Sequence, residues 1–139
     1  MDSLAKDGNW LTDIHISKAC QLLKSQFPDV LGFQPSVLCE NSSFKRIEGS
    51  YVQIINTDAS HWITVAGIHG SLVRVYDSKY KSISDDTKRQ IALLTASDKN
   101  YITISLENTQ FQRGSEDCGL YAIAYATDIC FGNNPASYV

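Results

Sequence analysis

HWITVAGIHGSLVRVYD, residues 61–77, is the stretch from which the rest of the chain can be placed. His61 to Ile68 (HWITVAGI) and Leu72 to Asp77 (LVRVYD) are rich in β-branched and aromatic residues, as strands are. His69-Gly70 between them suits a tight turn. With Ile68, His69 and Gly70 as that turn, the hairpin register sets His61 directly opposite Asp77. Directly opposed β-carbons lie about 5 Å apart, close enough for a carboxylate to hold an imidazole. A register slip of two residues keeps both on one face, whereas a slip of one separates them. The plainer alternatives are a hydrogen-bonded His on a half-exposed strand and an Asp that ends a strand or caps a turn.

Working outward, Tyr51 to Asn56 (YVQIIN) reads as a further strand, and Tyr101 to Leu106 (YITISL) alternates as a fourth. Ser84 to Ala96 opens with Ser-Asp-Asp and carries Ile91, Leu93 and Leu94, the pattern of a capped amphipathic helix. Thr12 and Asp13 are capping types, and Ile14, Ala19, Leu22 and Leu23 follow at helical spacing, which predicts a helix from about Asp13 to Gln26. Residues 29–48 carry no clear period and are expected to be mostly loop. Asn108 to Asp117 is polar and reads as loop. Cys118 to Cys130 (CGLYAIAYATDIC) is apolar around most of its circumference, as a buried helix is. Gly132 and Pro135 stop it, and the tail to Val139 is expected to be loosely ordered. The predicted order is helix, three strands, helix, strand, helix. This is an α+β fold with an antiparallel sheet packed against helices.

The 139 residues suit one domain, 1–139, with one core. Net charge is −3 and no Lys/Arg run stands out, so nothing recommends nucleic acid or an anionic membrane as partner. No stretch approaches the roughly 18 apolar residues that cross a bilayer. Met1 to Asn9 has no apolar core of the signal-peptide kind. The four cysteines, Cys20, Cys39, Cys118 and Cys130, form no CxxC and no zinc-type spacing, so no metal is expected. Reduced thiols in a cytoplasmic or nuclear setting are the expectation. Cys20 and Cys130 fall where packing explains them, and Cys39 has no evident place. His15 and His69 read as solvated.

Cys118 is the candidate nucleophile. A thiol attacks as thiolate, and the start of a helix favours the anion. Gly119 beside it lets a substrate backbone approach. A buried structural cysteine is the competing reading. His61 would accept the thiol proton, with Asp77 orienting the ring. Gln112, six residues before Cys118 in a polar loop, could donate to an oxyanion. Gln110 is its rival.

Four pieces resemble the ubiquitin-like-protein-specific cysteine proteases of clan CE, which include SUMO and NEDD8 proteases and the adenovirus endopeptidase. They are W10-L-T-D13, H61-W62, V75-Y76-D77-S78 and Q112-R-G-S-E-D-C118-G119. The order His, Asp, Gln, Cys and the six-residue Gln-to-Cys gap match that family. The resemblance implies a papain-like core with circularly permuted order, His61, Asp77 and Cys118 as triad, and Gln112 at the oxyanion hole. It implies cleavage after the Gly-Gly of a ubiquitin-like protein (SUMO, ubiquitin or NEDD8), by a monomer and without a cofactor. It also implies that Trp10 and Trp62 form the slot that admits the two glycines, and that Asp13 meets the substrate's basic surface. Core packing of the indoles and helix capping by Asp13 are the alternatives. Only nine residues precede Trp10, and the chain stops at Val139. Family catalytic domains are usually longer, so a reduced substrate-gripping surface is expected. Two rival functions remain: acetyl transfer from acetyl-coenzyme A by a related His–acid–Cys core, and a non-catalytic module binding ubiquitin-like proteins. The acetyltransferases commonly carry a basic activator site, and this acidic chain shows no such cluster.

Overall fold

The computed structural model describes residues 13–36, 38–41, 43–69, 71–112 and 117–138. Trp10 lies outside them. The hairpin read from residues 61–77 is the middle of a five-stranded sheet. Its strands are β1 (Leu31–Gly32), β2 (Tyr51–Thr57), β3 (His61–His69), β4 (Leu72–Tyr76) and β5 (Thr103–Leu106), in that spatial order. The helices are α1 (Asp13–Gln26), α2 (Leu38–Asn41), α3 (Asp85–Leu94) and α4 (Cys118–Cys130), and a 3₁₀ turn spans Pro135–Tyr138.

Period-two alternation gives each face of the sheet its own core. Val52, Ile54 and Trp62 point to one side, where they pack with Ile16, Cys20 and Leu23 of α1 and Cys118, Ala122 and Ala126 of α4. Ile55, Ile63, Val65, Val73 and Val75 point to the other, under Ile91 and Leu94 of α3. Ala122 and Ala126 are small, so α4 lies close on the sheet. The buried Thr64 hydroxyl donates to the Ala122 carbonyl at 2.7 Å and fastens β3 to α4. Ser84 caps α3, its hydroxyl accepting from the Thr87 N–H.

Several expectations need correction. The sheet is mixed rather than antiparallel: β2–β3 and β3–β4 are antiparallel, but β1–β2 and β4–β5 are parallel. A parallel pair needs a crossover, which α2 supplies between β1 and β2 and α3 between β4 and β5. Residues 29–48 are mostly loop, as expected, apart from β1 and α2. In the tail, Asn134 to Ala136 are packed rather than loose. Gly132, at φ 85°, ends α4 with its N–H on the Ile129 carbonyl, and Tyr76 donates to the Asn134 side chain at 2.9 Å.

The hairpin register also differs. His69 pairs with Leu72, but from Gly67↔Val73 through Thr64↔Tyr76 the pairing has shifted by one, with a bulge between Gly67 and His69. His61 therefore does not stand directly opposite Asp77. Carried through unbulged, the His69↔Leu72 register would leave the two residues on opposite faces. The extra residue, Ile68, restores the phase and returns them to one face, two positions from the expected pairing.

Gly67 sits where no side chain fits: an added β-carbon would lie 2.3 Å from the Tyr51 ring. That ring is held by the Tyr51 hydroxyl on Thr95 at 2.7 Å. Gly67→Ala is expected to displace Tyr51 and lower stability by about 1–3 kcal/mol. Urea unfolding checks this, and an unchanged midpoint would contradict it.

Candidate active site

Cys118 is the first residue of α4, and Asp117 before it makes no side-chain cap bond. Cys118 is 7% exposed and belongs to the apolar cluster with Trp62 and Ala122. Across from it stands His61, the first residue of β3. The connection that delivers His61 is tightly held. Asp58 and Ala59 both adopt left-handed backbone, at φ 56° and 68°. Asp86 of α3 accepts from the Asp58 N–H at 2.8 Å and from the Thr57 hydroxyl at 3.3 Å.

His61 Nε2 meets Asp77 Oδ1 at 2.7 Å, with both side chains nearly buried. The same carboxylate oxygen accepts the N–H groups of Lys79 at 2.8 Å and Tyr80 at 3.0 Å. The Tyr80 ring packs edge-on to the imidazole, centroids 5.0 Å apart. Thr109 donates to the Asp77 carbonyl at 2.6 Å, tying the β5–α4 loop to the same point. With Nε2 engaged by Asp77, Nδ1 is the ring nitrogen left for the sulfur.

The electrostatics follow from this packing. Burial works against the His61 imidazolium, but Asp77 and Cys118 outweigh it and push its pKa up to about 9. Burial raises the Cys118 thiol, yet the interaction with His61 and the N–H groups of Trp62 and Gly119 bring it below the ordinary thiol value. Asp77 is opposed by burial but held below the usual carboxylate range by His61 and by the Tyr80 and Lys79 N–H groups. The arrangement favours a thiolate–imidazolium pair backed by a carboxylate. The other thiols go the other way. Burial pushes Cys20 and Cys39 up to about 11, and it also raises Cys130.

The structure thus brings Cys118, His61 and Asp77 together. Gln112 is stitched to the segment after Asp77: its N–H donates to the Ser78 carbonyl at 2.8 Å, and its Oε1 accepts from the Ser78 hydroxyl at 2.6 Å. With Oε1 so engaged, the amide presents Nε2 as its donor side. The Gln110 side chain is exposed, and its carbonyl accepts from Tyr125. Trp62 is 3% exposed in the α1–α4 core. Its expected counterpart, Trp10, is not among the described residues. Asp13 is exposed at the start of α1 and accepts from the Ser36 hydroxyl at 3.3 Å.

Two residues in this site have no role in the sequence reading. Ser78, 1% exposed, fixes the Gln112 amide, and Tyr80 braces the His61 ring. Ser78 closes the quoted V-Y-D-S piece, so its place beside Asp77 was the available signal. Tyr80 had none. Among the described residues no group of three or more His, Cys, Asp or Glu side chains could hold a metal ion.

No protein-family profile matches the chain, and no curated protein sequence matches it. Solved structures do share its fold. The C-terminal Ulp1 protease domain, in complex with Smt3, the yeast ortholog of SUMO, superposes at TM-score 0.67 and 17% identity, covering 96% of this chain and 71% of that one. The SUMO protease Ulp1 with its catalytic cysteine oxidised to a sulfinic acid gives 0.65 and 15%, covering 90% and 68%. A de-sumoylating protease gives 0.69 and 15%, covering 94% of this chain and 65% of that one. The chain has the fold of these protease domains.

Iodoacetamide at about pH 6 is expected to alkylate Cys118 well before Cys20 and Cys39, since rate follows the thiolate fraction. Peptide mass mapping reads the order. His61→Ala should slow the Cys118 reaction at that pH by about tenfold or more. Equal rates in the two proteins would show that the imidazole does not hold the thiolate.

Proposed function

We propose that the chain is a cysteine peptidase or isopeptidase acting after the Gly-Gly of a ubiquitin-like protein, with Cys118 as nucleophile. The observation that carries this reading is the line Asp77–His61–Cys118, buried at the start of α4 and charged in the sense that nucleophilic thiol chemistry needs. The thiolate attacks the glycine carbonyl. His61 passes its proton to the leaving amine, then takes one from the water that releases the acyl group, while Asp77 keeps Nε2 engaged throughout. Gln112 and backbone N–H groups near Cys118 bear the oxyanion. Trp10 and Trp62 are assigned to the glycine slot and Asp13 to the body of the modifier. We place the activity in the cytoplasm or nucleus, in a monomer. The fold likeness to SUMO protease domains, one bound to Smt3, supports a ubiquitin-like substrate.

Probes carrying ubiquitin, SUMO, NEDD8 or a bare Gly-Gly peptide, each ending in an electrophile, test the assignment. A covalent adduct with at least one ubiquitin-like probe is expected, lost in Cys118→Ala. Labelling of Cys118 by no probe would overturn the reading, and acetylation of Cys118 by acetyl-coenzyme A would replace it with acyl transfer. Truncating Gln112 to Ala is expected to cost about 10²–10³-fold in kcat.

The sign of each shift sets the pH profile. His61 is raised, so the imidazolium is present below its folded pKa and lost as pH climbs through about 9. Cys118 is lowered, so the thiolate is lost only as pH falls through a value below the ordinary thiol pKa. Activity is expected to form a bell between these limits, measured as kcat/KM on a fluorogenic Gly-Gly substrate. A profile rising continuously beyond pH 9 would contradict the ion pair.

A further inference from the structure

A cavity of about 350 Å³ lies between α3, β5 and the loop joining them, and none of Cys118, His61 and Asp77 lines it. Its floor is apolar. Ile91 of α3 is fully buried there, and Ile102 and Ile104 are only partly covered. Its rim is cationic, with Arg46, Lys88 and Lys99 converging from three separate parts of the chain. Among the described residues no Asp or Glu lines it. Among the described residues none of the three cations forms an ion pair. Lys99 lies over the Tyr101 ring at 5.5 Å, and that ring also lines the opening.

The chain as a whole carries a net charge of −3. Here three cations share one opening with half-covered isoleucines beneath. The volume falls in the range of small-molecule sites, roughly 300–1,000 Å³. Partly covered isoleucines and an aromatic ring attract a flat apolar body, whereas unpaired guanidinium and ammonium groups attract phosphate or carboxylate. We propose that this cavity binds a small organic anion, an aromatic or branched apolar body carrying a phosphate or carboxylate group. The body would lie on Ile102 and Ile104, and the anionic group would meet Arg46 and Lys88. The proposal is independent of the chemistry assigned to Cys118.

Phenyl phosphate, phenylacetate, inorganic phosphate and benzyl alcohol, titrated into the isotope-labelled chain and followed by amide chemical shifts, separate the contributions. The two aromatic anions are expected to shift the amides of residues 91–104 with Kd of about 1 mM or tighter. Phosphate alone and benzyl alcohol should each bind at least about tenfold more weakly, since each supplies half of the interaction. The ratio of phenyl phosphate to phenylacetate affinity identifies the preferred anion. Lys88→Glu and Arg46→Glu should each weaken the aromatic anions by about tenfold. Amide dispersion matching the parent shows that a variant is folded. Absence of shifts at residues 91–104, shifts spread evenly over exposed lysines, or unchanged affinity in both folded variants would overturn the proposal.

Discussion

The hydrogen bond between His61 and Asp77 is the interaction on which the site depends. A carboxylate this deeply placed must be compensated, and Asp77 gathers three donors on one oxygen: the imidazole and the Lys79 and Tyr80 N–H groups. That convergence fixes where β4 ends and where β3 begins. It leaves the imidazole one orientation, with Nδ1 toward the sulfur. It also supplies the charge that keeps His61 protonated against burial, and through His61 the charge that favours thiolate at Cys118. Geometry and protonation state thus come from the same bond.

The scaffold holds each partner from the opposite side of the sheet. α4 brings the sulfur, pressed close by Ala122 and Ala126 and pinned through Thr64. α3, on the other face, grips the turn before His61 through Asp86, which accepts from Asp58 and Thr57. The left-handed residues of that turn, one of them alanine, cost about 1–2 kcal/mol each, which surrounding contacts must offset. A small cavity of about 180 Å³ is lined both by this turn and helix, through Asp58, Ser84 and Thr87, and by His61 and Asp77.

How much of this the sequence revealed depended on range. Local signals were legible: the α1 and α4 boundaries match their patterns, and Ser84 caps α3 as its Ser-Asp-Asp start indicated. The shared face of His61 and Asp77 was argued from a turn at Ile68, His69 and Gly70. The real turn and the bulge at Ile68 both depart from it, and the face survives because the two departures add to an even shift. Strand direction was not legible, since β1 and β5 owe theirs to crossovers whose path no local residue encodes. Ser78 and Tyr80 act through contacts set by the end of β4, and their side chains alone suggested nothing. The basic cavity was invisible for the same reason: Arg46, Lys88 and Lys99 meet only after folding.

The bulge at Ile68 has a consequence for how this hairpin can change in length. Side chains alternate with a period of two, so the alignment of His61 with Asp77 depends on whether the count of residues between them, less those in the turn and bulge, is odd or even. Indels here obey arithmetic modulo two. Adding or losing one residue in β3 or β4 turns one partner to the far side of the sheet, while a change of two, or one compensating change in each strand, conserves the match. A genetic lesion as small as a single codon can disconnect the pair while leaving both residues, and every residue that touches them, unaltered in the chain.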